Sequence, residues 1–194
     1  KEMRKWDDFL EMRCTVLHGP HKEELLHDPL SEIFIINPDG LPWLLGVTRT
    51  PTPGGKKTHV EVDMKRWKRL GFDTLVIDEL SKFKHSQTQR FKALKQIVPT
   101  FGRRWGLTGS PASNGLIDLF GQCFVIDEGN ALGRYVTHYR SKYFTPNGPP
   151  SEPGKAPKPA FGWTLQEGAD KKIFKRLKPL ALRMAAEDYL DMPK

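Results

Sequence analysis

Cysteine is scarce in this sequence, and long apolar segments are missing. Among 194 residues only Cys14 and Cys123 are cysteines, and they form no C-x-x-C pair. This argues against a disulfide framework and against a cysteine zinc site. No run approaches the roughly 18 apolar residues that a membrane-spanning helix needs. The first residues, KEMRKWDDFL, lack the apolar stretch of a secretory signal peptide. We therefore expect a cytoplasmic protein without a membrane partner.

Acidic residues are outnumbered by basic ones. Lys and Arg total 31 against 23 Asp and Glu, so the formal net charge is +8. Such an excess favours an anionic partner such as nucleic acid, although many basic proteins bind none. Charge alone therefore does not decide between a nucleic-acid-binding protein and one with a well-solvated basic surface.

Apolar runs alternate with helical patterns along the chain. Strands are predicted at residues 14–17, 32–36, 73–78 and 103–108. The run at 73–78 is typical of a buried parallel strand. Strands that alternate with helices imply a layered α/β sheet with flanking helices.

One predicted helix has a defined start and end. Ser86 and Gln89 match a capping box at its amino end. Phe91 and Leu94 share a face, and Pro99 is expected to stop the helix. This helix links the strand at 73–78 to the one at 103–108.

Composition divides the chain into three zones. Residues 1–145 are expected to form one partial lobe, interrupted at 46–63 by a hairpin or loop around a Pro-Gly-Gly turn. Residues 146–160 carry six of the 16 prolines and predict a mobile loop. Residues 161–194 predict a basic helical segment that packs its apolar face on the lobe.

The first candidate site follows the strand at 73–78. LVIDEL places Asp78 and Glu79 at the carboxyl end of an apolar strand, the arrangement of a Walker B motif. The Asp can hold Mg²⁺, usually through water, because a hard cation prefers oxygen ligands. The Glu can orient or deprotonate the water that attacks a γ-phosphate. Alone the signal is weak, since acids often cap the exposed end of a buried strand.

The second candidate site is the segment WGLTGSPASN. Thr108 and Ser110 flank Gly109 in a tight turn whose hydroxyls can approach a bound anion or a neighbouring acid. The alternative is a plain turn in which Ser113 or Asn114 caps the next helix. If both candidate sites end parallel strands, they should cluster at one edge of the sheet.

The two segments together resemble motifs II and III of the first motor lobe in superfamily-two helicases, and within these the Swi/Snf-type ATPases. The segments that carry the resemblance are DELSKFK, QRFKALKQI, LTGSPASN and LIDLFGQCFVID. INPDGLPWLL, VIDEGNALGRYVTHYRSKYF and AEDYLDMP look closest to the bacteriophage and prophage branch. The resemblance implies a partial RecA-like (P-loop NTPase-type) parallel sheet, ATP and Mg²⁺ as cofactors, and double-stranded DNA as partner.

The resemblance also implies a role for each candidate residue. Asp78 would serve the metal and Glu79 the water. The residues that would couple nucleotide state to DNA contacts are Thr108, Gly109, Ser110 and Ser81. The candidate contacts to nucleic acid are Lys82, Lys84, Arg103 and Arg104, with a solvated basic surface as the alternative.

The sequence departs from the family pattern at several places. Leu80 stands where Ala is usual, Ser81 where His or Asp is usual, and Ser110 replaces a second Thr while keeping the hydroxyl. No G-x-x-x-x-G-K-[ST] phosphate loop is present; GKKT at 55–58 fails because Lys57 occupies the Ser/Thr position. We therefore expect a P-loop segment and a second RecA-like lobe outside this sequence.

A second hypothesis comes from another functional class. The chain can be a non-catalytic nucleic-acid-binding or scaffold module that keeps the lobe and has lost catalysis, which Leu80 and Ser81 favour. A P-loop upstream in the gene would support the motor, and its absence would support the scaffold.

Overall fold

The computed structural model describes residues 11–51, 58–148 and 162–184. The chain divides into two compact units, Lys1–Leu70 and Gly71–Lys194. The composition of the sequence indicated no boundary at residue 70. Both units mix α-helices with small two-stranded sheets, so the protein is a mixed α/β protein with flanking helices.

The first unit contains a parallel and an antiparallel strand pair. Its elements are β1 (Cys14–Val16), α1 (Lys22–Leu26), β2 (Ile33–Ile35), α2 (Leu41–Leu44), β3 (Thr48–Pro51), β4 (Thr58–Glu61) and α3 (Met64–Leu70). Strands β1 and β2 run parallel, with α1 between them in the chain. Strands β3 and β4 pair antiparallel, so the predicted hairpin is confirmed, although its turn at 52–57 lies outside the described residues.

The core of the first unit gathers around Leu45 and Trp67, both almost completely buried. Trp43 lies beneath two cations, with Lys22 Nζ 4.5 Å and the Arg66 guanidinium carbon 5.8 Å from the ring centroid. Arg66 also pairs with Glu23 at 2.9 Å. Helices α1 and α3 are therefore joined through side chains as well as through the core.

The second unit carries both candidate sites. Its elements are β5 (Thr74–Ile77), α4 (Gln89–Ile97), β6 (Arg103–Gly106), α5 (Leu119–Asp127), α6 (Val136–Tyr143), β7 (Phe144–Pro146), β8 (Trp163–Leu165) and α7 (Ala169–Leu177). Strands β5 and β6 run parallel, with Ile77 opposite Gly106. The expectation that these two strands are parallel neighbours is confirmed. Strands β7 and β8 pair antiparallel.

Helix α4 begins at a different cap from the predicted one. The Thr88 hydroxyl accepts a hydrogen bond from the backbone N–H of Phe91 at 3.2 Å, and Thr88 has the extended backbone of a capping residue. The prediction of a capping box at Ser86 and Gln89 is wrong, because Gln89 is already the first helical residue. The helix ends at Ile97, before Pro99, as predicted.

An aromatic cluster forms the core of the second unit. Phe120 lies 6.2 Å from Phe124 and 5.7 Å from Tyr139 between ring centroids. The buried Tyr139 hydroxyl donates to the carbonyl oxygen of Leu116 at 2.7 Å, and burial raises its pKa well above the ordinary value. Helix α6 is thereby fixed to the segment that leads from the second candidate site into α5.

Helix α7 packs as its amphipathic pattern predicts. Ile173 and Leu177 are buried, whereas Lys172 and Lys175 are exposed. The predicted segment 161–194 also contains a strand, β8, ahead of this helix, and its residues 185–194 lie outside the described ones.

The proline-rich segment starts later than the boundary predicted at 146. Pro146 belongs to β7 and lies opposite Trp163 of β8, so the chain is still paired there. Residues 149–160 of the predicted mobile loop lie outside the described residues.

The strands differ from the layered sheet that was expected. Within the described ranges they form separate pairs. Strand β5 is covered on one face only: Ile77 is buried, but Val76 is 62% exposed, as is its cross-strand neighbour Trp105 at 64%. The prediction of a buried strand is therefore wrong for the face that carries Val76, because no described residues pack over it.

Replacing Gly121 by Ala tests how closely α5 packs on the turn that follows β5. The added methyl group would collide with the carbonyl oxygen of Phe83 and lie 2.8 Å from that of Lys84. Because both obstacles are backbone atoms, overpacking should lower the free energy of unfolding by about 1–3 kcal/mol. This loss should outweigh the roughly 1 kcal/mol that Ala gains over Gly in a helix.

Chemical denaturation of Gly121→Ala and of a control, Gly102→Ala, measures the difference. In the control the new Cβ would lie 3.7 Å from the nearest atom, the Asp73 carbonyl oxygen, which is an ordinary contact. Equal losses of stability in the two variants would contradict the close approach of α5.

Candidate functional site

The carboxyl ends of β5 and β6 bring the two candidate motifs together. Leu107 N–H donates to the Ile77 carbonyl at 2.9 Å, and Leu80 N–H donates to the Leu107 carbonyl at 2.7 Å. The pairing thus continues past both strands. Glu79 and Thr108 consequently leave the sheet side by side, although 29 positions separate them in sequence.

The Glu79 carboxylate is the centre of this site. Thr108 Oγ1 donates a hydrogen bond to Glu79 Oε1 at 3.1 Å. The Ser81 hydroxyl donates to the same oxygen. The expected clustering of Glu79, Ser81 and Thr108 is therefore confirmed, with Ser81 meeting the second motif through the shared carboxylate.

The hydrogen bonds favour the ionised form of Glu79. The Ser81 hydroxyl is the largest influence that holds the pKa of Glu79 below its ordinary value, and the Thr108 hydroxyl is the next. Partial desolvation opposes them, while the positive charge of Lys82 assists. Hydrogen bonds of this kind favour the charged form of a carboxyl group. At neutral pH Glu79 is a carboxylate with an acceptor oxygen already oriented.

The backbone at Glu79 is unusual. Its φ of 61° and ψ of 65° lie in the left-handed region, where a residue with a Cβ is strained. Among the described residues other than glycine, Glu128 is the one other case of positive φ, and it ends helix α5. Strained residues cluster at functional sites. At Glu79 the conformation turns the chain from β5 directly into the 3₁₀ turn Leu80–Phe83.

Asp78 precedes Glu79 in sequence, and Gly109 and Ser110 follow Thr108, but within the described residues the hydroxyls that donate to the Glu79 carboxylate are those of Ser81 and Thr108. Asp78, Gly109 and Ser110 are exposed. Within the described part of the chain, no group of three or more His, Cys, Asp or Glu side chains could hold a metal ion. Asp78 fits Mg²⁺ only as a single carboxylate ligand, and water and phosphate oxygens would have to supply the remaining ligands.

An ion pair between Lys84 and the buried Asp118 contacts the end of the second motif. Lys84 Nζ lies 3.2 Å from Asp118 Oδ2, and only 6% of the Asp118 side chain is exposed. Lys84 also donates to Ser113 Oγ at 3.0 Å, and Asn114 N–H donates to Asp118 Oδ2 at 3.1 Å. The expected capping of the next helix by Ser113 or Asn114 is wrong, because Gly115 and Asp118 occupy the amino-terminal cap positions of the 3₁₀ turn Leu116–Asp118 and of α5.

Two predicted nucleic-acid contacts have internal partners instead. Lys84 is held by the buried pair with Asp118. Arg104 donates to the carbonyl oxygens of Ile126, Val98 and Phe101 at 2.8–2.9 Å. It also pairs with Glu128 at 3.0 Å, and 17% of its side chain is exposed. Most donors of Lys84 and Arg104 are therefore directed to internal acceptors, which argues against these two residues as nucleic-acid contacts. Lys82 and Arg103 are exposed.

Sequence reasoning missed two residues that hold the second motif. Asp118 carried a signal, since it is a single acid inside the apolar run LIDLF and a buried acid there needs a cation. Gln122 is 2% exposed, and its Nε2 donates to the Pro111 carbonyl at 2.6 Å and to the Asp118 carbonyl at 3.0 Å. Gln122 thus ties the end of the Thr-Gly-Ser-Pro turn to α5.

Comparison with known proteins gives a similarity to a bacteriophage protein. Over 150 residues the chain is 28% identical to protein p41 of Acyrthosiphon pisum secondary endosymbiont phage 1, covering 74% of this chain and 29% of p41. The chain thus spans less than a third of the length of this relative, whose name states no activity. No family model and no solved structure matches the chain. No helix within the described residues has the length and apolar character needed to cross a membrane.

Replacing Thr108 by Val tests the hydrogen bond at Glu79. The variant keeps the shape of the side chain but removes a donor, so the pKa of Glu79 should rise toward its ordinary value. NMR titration of the side-chain carboxyl carbon measures this pKa. Thr74→Val, at the opposite end of β5, is the matched control and should leave it unchanged. An unaltered pKa in Thr108→Val would contradict the assigned hydrogen bond.

The same variant has a consequence for acid stability. A carboxyl group whose pKa is lower in the folded than in the unfolded state stabilises the fold above its unfolded pKa. This stabilisation is lost as the pH falls through the folded pKa. Thr108→Val should therefore lose stability at neutral pH and show a weaker dependence on pH in the acid range than the unaltered chain.

Proposed function

We propose that this chain is the part of an ATP-dependent DNA translocase, or helicase-like motor, that contains the acidic box and the Thr-Gly-Ser coupling motif. The observation that carries the proposal is the shared hydrogen bonding of Glu79 by Ser81 and Thr108 at the ends of two parallel strands. Ligands of open α/β sheets bind beyond the carboxyl ends of such strands. The order and spacing of the two motifs support a partial RecA-like lobe.

Glu79 would act on the attacking water. Both hydroxyls donate to Oε1, and we assign Oε2 the task of accepting a hydrogen bond from the water or its proton. An ionised carboxylate is required for either task. The lowered pKa of Glu79 makes it a weaker base and so favours orientation of the water over removal of its proton. The hydrogen bonds fix the orientation of the carboxylate, and orientation of the nucleophile is the main contribution a protein makes in phosphoryl transfer.

Asp78 would hold Mg²⁺, usually through water, beside the phosphates of ATP. When bound, the ion would neutralise charge that develops on the phosphate oxygens. Asp78 is exposed at the end of β5 and next to Glu79 in sequence, so one strand end would serve both metal and water.

Thr108 would connect the state of the nucleotide to the rest of the lobe. A change in the group that is bound to Glu79 would alter the carboxylate oxygen to which the Thr108 hydroxyl donates. The turn that follows Thr108 is fixed to α5 by Gln122 and by the pair of Lys84 with Asp118. A movement at Glu79 would thereby reach α5 through hydrogen bonds and not through a flexible loop.

The rest of the motor would supply a phosphate loop and cover the open face of the β5–β6 pair. The sequence has no phosphate loop of its own. Val76, Trp105 and Leu107 are all more than 60% exposed, an apolar patch of the kind that marks an interaction surface. Parallel strands in proteins are normally covered on both faces.

Glu79→Gln in the longer protein that would contain the complete motor is the direct test of function. Removal of the carboxylate should lower ATP turnover by about 10²–10⁴-fold, the usual contribution of a general base, with nucleotide binding retained. Glu167→Gln makes the same chemical change at an exposed residue of the second unit and should leave turnover unchanged. Near-normal turnover in Glu79→Gln would contradict the role of Glu79, whereas absence of ATP turnover in the parent protein would favour the non-catalytic nucleic-acid-binding or scaffold module.

A charge placed on the open sheet face tests whether another part of the motor covers it. Val76→Lys should change the free energy of unfolding of the 194-residue chain by less than about 0.5 kcal/mol, because Val76 is 62% exposed there. In the longer protein the same change should cost about 1–3 kcal/mol, since the lysine would be buried. A small effect in both would contradict coverage of this face.

A further inference from the structure

A cavity of about 190 Å³ lies in the second unit, away from the acidic box. The loop at 130–133, the helix α6 and the helix α7 all contribute to its lining. The side chains from the helices are His138, Lys142, Tyr143 and Arg176. The volume is several times the roughly 30 Å³ that one molecule occupies in liquid water. The cavity therefore has room for a small polyatomic group together with water.

The charge of the lining has one sign. His138, Lys142 and Arg176 carry N–H donors, and the lining contains no acidic side chain. The carboxylates nearest in sequence are occupied elsewhere. Glu128 pairs with Arg104 at 3.0 Å, and Asp127 accepts the backbone N–H groups of Gly129 at 2.8 Å and Ala131 at 2.6 Å. The basic side chains at the cavity therefore have no acidic partner among its lining residues.

The loop that forms part of the cavity is held in one shape. Gly133 N–H donates to the Gly129 carbonyl at 2.9 Å. Gly129 has a φ of +85°, and a Cβ there would lie 2.6 Å from the Gly133 carbonyl oxygen. Arg176 Nη1 donates to the Ala131 carbonyl at 3.1 Å, which fixes the guanidinium at the loop. Because the loop is already held in one conformation, a ligand would bind here with little loss of conformational entropy.

We propose that this cavity binds a single phosphate group. A guanidinium presents a planar set of donors that matches phosphate oxygens, and only one Arg176 nitrogen is used by the loop. Lys142 adds a second positive charge, and His138 adds an N–H donor in either charge state.

The phosphate belongs either to a nucleic-acid backbone or to a free phosphate ester. The chemistry of recognition is the same for both, and it does not involve Glu79 or Thr108. The inference therefore stands or falls independently of ATP hydrolysis.

Titration of the 194-residue chain with inorganic phosphate at low ionic strength tests the site. Amide NMR signals of residues 131–133 should shift and saturate. The double variant Lys142→Gln/Arg176→Gln should weaken binding about tenfold or more, since two charge-assisted contacts are lost. The control, Lys172→Gln/Lys175→Gln, removes the same charge from α7 at residues that do not line the cavity, and should weaken binding less than twofold.

A second titration with duplex DNA separates the two sources. If the cavity binds a phosphate of the nucleic-acid backbone, duplex DNA should shift the same amide signals. The slope of log affinity for DNA against log salt concentration should then fall by about one in the double variant. For a free phosphate ester, inorganic phosphate shifts these amides and DNA does not. If the double variant unfolds, Lys142→Gln alone, which leaves the contact of Arg176 with the loop intact, should still weaken phosphate binding severalfold. Equal losses in the cavity and control variants, or no saturable shift at 131–133, would overturn the proposal.

Discussion

The arrangement of the second unit depends on one carboxylate at the junction of two parallel strands. Glu79 leaves β5 in a left-handed conformation and receives hydroxyl groups from the turn after each strand. This places a charged acceptor at the strand ends without burying it, so the site avoids the cost of an unpaired internal charge. The strained backbone and the hydrogen bonds are two aspects of one constraint, which sets where Ser81 and Thr108 lie.

A second, deeper layer of polar contacts supports this junction. The Lys84–Asp118 pair and the side chain of Gln122 connect the turn after β5, the turn after β6 and the start of α5. Removing one partner of such a pair would leave an uncompensated charge, so each partner is needed once the other is present. The close approach of Gly121 to the carbonyl oxygens of Phe83 and Lys84 belongs to the same arrangement.

The sequence predicted the order of the strands and the clustering of Glu79 with Thr108, because both follow from local apolar runs and from the geometry of parallel strands. It did not predict the partners of Lys84 and Arg104. Those partners lie far along the chain: Asp118 is 34 positions from Lys84, and the Ile126 carbonyl is 22 positions from Arg104. A basic residue near an acidic motif has the same sequence neighbours whether it binds a phosphate or pairs with groups inside the fold. The open face of β5 was missed for a related reason, since an apolar run does not reveal what packs against it.

A double-mutant cycle on ATP turnover tests the central claim most directly, with Thr108→Val and Glu79→Gln measured singly and together in the complete motor that we propose. If Thr108 acts through the carboxylate, Thr108→Val should lower turnover in the parent protein and have little further effect in the Glu79→Gln background. Additive effects of the two substitutions, or turnover that does not depend on Glu79, would contradict the assignment of this carboxylate as the centre of the site.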